Sequence, residues 1–242
     1  MRAAVIIAGG RSTRFGDADK AVADLAGVPM TRRVADRLVT VVDRVVVNCR
    51  ADQRDALERA MAGYPLPVAY AVDPDPDEGP MAGIRTGVRA VAAGADEASG
   101  NGAADPDAYA LVVACDMPFV DPEFVDYLFE RAAGHEAAVP QLDDEWFQTT
   151  QAVYRAGPMA DACEAALDAG ERKILAPLER LEWVVVDDAE IRARTTPETF
   201  ENCNTRAEFE AATERLAADD GGDGGGDRSD GDGGDGHEGG VG

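Results

Sequence analysis

Arg11, Arg14 and Lys20 crowd into one glycine-rich stretch, Ala8-Gly9-Gly10-Arg11-Ser12-Thr13-Arg14-Phe15-Gly16-Asp17-Ala18-Asp19-Lys20. Residues of these types at this spacing hold phosphates. Glycine lets a backbone come close to an anion, successive N–H groups can converge on it, and the basic side chains neutralise its charge. Lysine is scarce here, with only Lys20 and Lys173 in the chain, so its appearance in this loop is notable. The stretch is neither of two common phosphate motifs. Gly16 is followed by Asp17 and not by the Lys-Ser/Thr of a Walker loop, and Gly9-Gly10 does not supply the G-x-G-x-x-G of a dinucleotide fingerprint. A glycine-rich surface turn with stray basic residues is the plain alternative.

Further candidates lie elsewhere. Asp116 follows five apolar residues in Leu111-Val112-Val113-Ala114-Cys115 and offers a hard oxygen ligand of the kind magnesium takes beside phosphate oxygens. It could equally cap the turn before Pro118. Asn48 and Asp73 could hydrogen-bond a base or ribose, although both are also ordinary turn residues. Gly79-Pro80-Met81-Ala82-Gly83-Ile84 leads into a helix N-terminus, a second place for an anion or a base edge and also an ordinary helix start. Near the end of the chain, Asn202-Cys203-Asn204-Thr205 precedes a closing helix, for which Asn204 or Thr205 would serve as a cap.

These residues act together only if strands bring them to one edge. The apolar run 3–7 predicts a buried parallel strand that empties into the glycine loop. Residues 21–25 and a turn at 27–29 lead to a helix over 30–42, and a strand over 44–48 ends on Asn48. A helix over 52–62 and a strand over 68–72 end at Asp73. A helix over 81–93, a solvated insertion over 94–107 and a strand over 110–115 end at Asp116. Beyond these the patterns predict a helix over 122–133, strands over 137–140 and 147–154, helices over 158–169 and 172–181, a strand over 183–186, and a helix over 206–218. From Asp219 the chain is mostly Gly, Asp and Ser, which predicts a disordered acidic tail after a single domain over 1–218. Strand–helix alternation predicts an α/β fold, a Rossmann-like, doubly wound, three-layer arrangement on a mainly parallel sheet. Ligands of such sheets bind beyond the carboxyl ends of the strands, so Ala8-Gly9-Gly10, Asn48, Asp73 and Asp116 should share one crevice.

The bulk composition narrows the partners. The 242 residues carry 47 acidic and 23 basic side chains, a formal net charge of -24. Such a surface repels nucleic acid and anionic membranes. No apolar run approaches the roughly 18 residues of a membrane span, and the N-terminus reads as a strand and not as a leader. Cys49, Cys115, Cys163 and Cys203 have no C-x-x-C spacing, which fits a reducing cytoplasm. Few lysines with abundant acid suit a protein of concentrated salt, where a Debye length of about 3 Å screens the self-repulsion. Removing salt is therefore expected to cost fold or activity. Full activity in dilute buffer, measured against molar potassium chloride, would refute that expectation.

The pattern A-G-G-x-S-x-R-x-G-x-x-x-K resembles the opening signature of nucleotidyltransferases that use a nucleoside triphosphate. With it, in order, come V-V-V-N at Asn48, G-P-M-A-G-I at Gly79, C-D-M-P at Asp116, Q-T-T-Q-A-V-Y, and N-C-N-T. Together they resemble the molybdenum cofactor guanylyltransferase family over roughly residues 3 to 210. The resemblance implies transfer of GMP from GTP to the terminal phosphate of molybdopterin carrying molybdenum, with magnesium and release of pyrophosphate. It implies that Ala8, Gly9, Gly10 and Lys20 hold the triphosphate, Asn48 and Asp73 the guanosine, and Asp116 the magnesium. Gly79 would border the nucleotide, Arg14 would join Lys20 and Asp116 in neutralising charge, and Asn202 and Asn204 would lie toward the pterin phosphate. Molybdoenzymes or cofactor-insertion proteins would be further partners. Thr149-Thr150 departs from the family's Pro-Leu. The alternatives are a nucleotidyltransferase for cobinamide phosphate or a sugar phosphate, a CTP-dependent molybdopterin cytidylyltransferase, or a non-catalytic carrier of the cofactor.

Overall fold

A computed structural model describes residues 1–10, 19–75, 78–94, 104–143 and 146–221. Arg11 and Arg14, most of the expected insertion and the tail beyond Gly221 lie outside the described residues. The strands are β1 (Arg2–Ile7), β2 (Asp24–Leu25), β3 (Val28–Pro29), β4 (Arg44–Cys49), β5 (Val68–Val72), β6 (Tyr109–Ala114), β7 (Ala137–Leu142), β8 (Trp146–Phe147), β9 (Gln151–Arg155) and β10 (Trp183–Val186). The helices are α1 (Met30–Leu38), α2 (Arg54–Ala60), α3 (Pro80–Ala92), α4 (Pro122–Ala132), α5 (Ala156–Asp168), α6 (Asp188–Arg192) and α7 (Arg206–Gly221).

The central sheet runs β10-β7-β9-β6-β1-β4-β5, with β8 paired to β7. β5, β4, β1 and β6 are parallel neighbours, and β9 lies antiparallel between β6 and β7. Alternation along β1 sorts the two faces. Ala4 and Ile6 join Val34, Leu38, Phe124 and Leu128 of α1 and α4, whereas Ala3 and Val5 join Ile84, Val88 and Met159 of α3 and α5. This is the three-layer α/β architecture read from the sequence. α7 closes a third small cluster, Leu25, Met30, Cys203, Ala212 and Leu216, against the β2–β3 hairpin.

Three expectations change. The span 172–181 is not an α-helix. Gly170 (φ +77°) follows α5, and a 3-10 turn occupies only Ala176–Arg180 with Pro177 in its first turn, where its missing N–H is harmless. The strand expected over 147–154 is two strands. Phe147 pairs with Gln141, a turn with Gln151 N–H donating to the Gln148 carbonyl intervenes, and β9 then crosses to pair with β6. The closing helix continues past 218 to Gly221. The short helix α6 was not anticipated, although Asp187 and Glu190 form a reciprocal capping box at its start.

Candidate nucleotide-binding site

The parallel register brings the predicted residues to one edge. Ile7 is in register with Asn48 on one side and with Ala114 on the other, and Cys49 with Val72. The ladder runs on past the strand ends: Ala8 N–H donates to the Asn48 carbonyl (2.9 Å), Asp73 N–H to that of Cys49 (2.9 Å), and Cys115 N–H to that of Ile7 (3.1 Å). Asp73, Gly9 and Asp116 therefore follow β5, β1 and β6, and Asn48 lies one residue before the end of β4, the strand between β5 and β1. Three interstrand steps of about 4.8 Å spread these residues over about 14 Å.

At one end of this row, Lys20 is almost fully buried. Its Nζ donates to Asp116 Oδ2 at 2.6 Å and to Asn204 Oδ1 at 3.1 Å. These three residues come from a 3-10 turn (Lys20–Val22), the end of β6 and the segment before α7. Cys203 N–H donates to the Asp116 carbonyl (2.9 Å), which ties that last segment to the site. Among the described residues the buried Asp116 Oδ1 has no hydrogen-bond partner. A buried carboxylate oxygen left open beside an ammonium is a place for a further cation or donor. Among the described residues no three His, Cys, Asp or Glu side chains cluster as metal ligands. One carboxylate with substrate oxygens is the mode magnesium commonly uses, so Asp116 fits it.

At the other end, Asn48 Nδ2 donates to Asp73 Oδ1 (2.7 Å) and to the Ala71 carbonyl (3.1 Å). Burial pushes the Asp73 carboxyl above its usual range, and hydrogen bonds from Asn48 and Thr86 oppose that rise. The Asn48 side chain is fully buried. It holds Asp73 in place and does not itself face solvent. α3 can lie this close because Gly83 and Gly87 have no side chains. A Cβ at Gly83 would come 2.6 Å from Asn48 Oδ1, and one at Gly87 would come 2.3 Å from Val5 Cγ1. Gly79 begins this helix with φ +91° and ψ -177°, a conformation open essentially to glycine alone.

Asn202 does not join Lys20. Its amide turns back on the Phe200 carbonyl (3.2 Å), and it lines a cavity of about 390 Å³ with Phe119, Cys203, Glu208 and Arg215. Sequence reasoning missed Arg50 and Gln53, which hold the carbonyls of Ala8, Gly9 and Gly10. Arg50 Nη1 donates to the carbonyls of Gly9 (3.1 Å) and Gly10 (2.8 Å), and Gln53 Nε2 to that of Ala8 (3.0 Å). Their position just past β4, at the same edge as the loop, was the available signal.

Comparison with known proteins places the chain in a family. Residues 4–182 match the family model described as the MobA-like NTP transferase domain. A protein of Natronomonas pharaonis named "Probable molybdenum cofactor guanylyltransferase" is 48% identical over 216 residues, covering 89% of this chain and 98% of its own. One of the same name from Haloferax mediterranei is 37% identical, covering 88% and 94%. The solved structure of molybdopterin-guanine dinucleotide biosynthesis protein A from Archaeoglobus fulgidus superposes with a TM-score of 0.67 at 27% identity, covering 90% of this chain and 100% of that one. A 4-diphosphocytidyl-2C-methyl-D-erythritol synthase from Anaerococcus prevotii, at 14% identity and a TM-score of 0.64, shares the fold. With its strand-edge crevice and the match over most of its length, the chain belongs to the MobA-like NTP transferase family.

Proposed function

We propose that the chain transfers GMP from GTP to the terminal phosphate of molybdenum-loaded molybdopterin, forming the guanine dinucleotide cofactor and pyrophosphate. The observation that carries the proposal is the cluster Lys20–Asp116–Asn204, which sets a cation and an open carboxylate oxygen at the strand edge where the glycine loop begins. The names of the relatives from Natronomonas pharaonis and Haloferax mediterranei support the choice of GTP and acceptor.

In the proposed step an acceptor phosphate oxygen attacks the α-phosphorus of GTP in line. The new O–P bond forms as the bond from Pα to the bridging oxygen of the leaving pyrophosphate breaks. A phosphate monoester is already largely ionised near pH 7, so no general base is needed. Two anions must instead be held together, and charge neutralisation and positioning do most of the work. Lys20 would neutralise charge on the triphosphate. Ala8, Gly9 and Gly10 would present backbone to it, with Arg14 as a further proposed cation. Asp73, braced by Asn48, would accept from the guanosine, and Gly79 would border it. Asn204 would orient Lys20, with Asn202 on the acceptor side. Magnesium held by Asp116, when bound, would supply charge neutralisation at the α-phosphate and the leaving group.

Among the described residues no helix is long and apolar enough to cross a membrane. The four cysteines are buried and free, which supports the cytoplasmic setting we propose. The test is pyrophosphate release from GTP, CTP and ATP in molar potassium chloride with magnesium, with and without molybdenum-loaded molybdopterin. Acceptor-dependent release from GTP alone is the expected result. Release from CTP, or only with cobinamide phosphate or a sugar phosphate, would overturn the named substrates.

A further inference from the structure

Arg50 and Gln53 have no part in the chemistry proposed above, yet they hold both ends of the stretch that carries it. Arg50 Nη1 takes the Gly9 and Gly10 carbonyls at the beginning of the loop. Gln53 is buried, and its Nε2 bridges the Ala8 carbonyl (3.0 Å) and Asp19 Oδ2 (2.7 Å). Asp19 in turn caps the 3-10 turn that begins with Lys20, accepting from Ala21 N–H (3.1 Å). The clasp is itself seated. Asp52 holds Arg50 Nε (3.0 Å), and Gln53 Oε1 accepts from Arg50 N–H (3.0 Å). One short segment after β4 therefore fixes the glycine backbone and, through Asp19, the turn that carries Lys20.

We propose that Arg50, with Gln53, is a positioning residue that sets the anion-binding conformation of the glycine loop without itself touching the nucleotide. This rests on the nucleotidyltransferase reading. A trans peptide points its C=O and its N–H in opposite directions. Drawing the Gly9 carbonyl onto Arg50 thus turns the Gly10 N–H away from Arg50, to the side where a phosphate can meet it. It also removes a carbonyl dipole that would repel an anion. Among the described residues a Cβ built at Gly10 meets no heavy atom within 4 Å, so the space on that side of the residue is open. Hydrogen bonds from the guanidinium hold the Gly9 and Gly10 carbonyls at that point. The planar guanidinium spreads its donors over separate nitrogens, Nη1 on the two carbonyls and Nε on Asp52, a span that the single nitrogen of an ammonium does not cover.

The test is calorimetric titration of the full chain with sodium tripolyphosphate and with GTP, in molar potassium chloride and magnesium, for wild type, Arg50→Ala and Arg50→Lys. Both variants are expected to bind both ligands roughly tenfold to a hundredfold more weakly, with the KM for the acceptor unchanged. A purely structural role would instead lower Tm and the active fraction while leaving affinity unmoved, and that result overturns the proposal. So does wild-type affinity in Arg50→Lys, which would make Arg50 a point charge and not a fork. Arg50→Lys also carries the test if Arg50→Ala fails to fold. Tripolyphosphate separates the two readings. If wild type binds it but not GTP, the base assignment fails and the clasp is judged on tripolyphosphate alone. If wild type binds neither, both fall.

Discussion

Asp116→Asn is expected to lower acceptor-dependent pyrophosphate release by about a thousandfold or more, with the fold kept and Tm lowered by the uncompensated charge left on Lys20. The substitution keeps shape and keeps an acceptor for Lys20 Nζ, now 2.6 Å from Oδ2, but removes the negative charge. What is lost is the open, buried Oδ1 as a ligand for a hard cation. The fold should be spared because the backbone of Asp116, not its side chain, ties the closing segment through Cys203 N–H. The checks are the rate at saturating GTP and a magnesium titration. A variant within about threefold of the wild-type rate, with an unchanged magnesium dependence, would remove Asp116 from the site chemistry.

Lys20→Met is expected to behave differently although it acts on the same pair. Methionine fills the buried stem space but takes the cation away, leaving Asp116 Oδ2 and Asn204 Oδ1 without their donor. Breaking a largely buried pair from one side should cost about 3 kcal/mol, a fall in Tm of about 6–12 °C for a chain of this size. GTP affinity and turnover should together fall by about a hundredfold or more, because the triphosphate loses a preorganised positive charge in a site shielded from water. Thermal unfolding and GTP titration check the two parts separately. Unchanged GTP affinity and rate would discard the phosphate role. Unchanged Tm would show that the carboxylate finds water when the ammonium is gone.

Much of the scaffold was legible along the chain because its signals are local. The run 3–7, the strand ending at Asn48 and the strand ending at Asp73 are short apolar segments closed by polar residues, and each lies within a residue of its expected bounds. The glycine loop announces itself by composition. Where expectation and structure parted, a long-range demand had overridden local pattern. Residues 147–154 read as one strand, but the chain leaves β7 and inserts β9 between β6 and β7, which requires a break at Thr149-Thr150. Residues 172–181 read as a helix, but the chain turns at Gly170 (φ +77°) after α5 and only a 3-10 turn over Ala176–Arg180 forms.

The roles of the site residues divide the same way. Residue type and strand-end position alone determined that Gly9, Gly10, Asn48, Asp73 and Asp116 would gather at one edge, because a parallel sheet delivers every strand end there. Tertiary structure decided who touches whom. Asn204 reaches Lys20, 184 residues away in the chain, whereas Asn202, two residues earlier, turns away to the Phe200 carbonyl. Asn48, a candidate base reader from its type, is buried beneath Gly9 and Gly83 and braces Asp73 instead. Arg50, inconspicuous in the sequence, holds the glycine loop. The physical reason is range. Periodicity, turn chemistry and glycine spacing are set by neighbours in sequence. Whether a buried amide or guanidinium has a partner is set by groups that only the folded sheet brings within 3 Å or so of it.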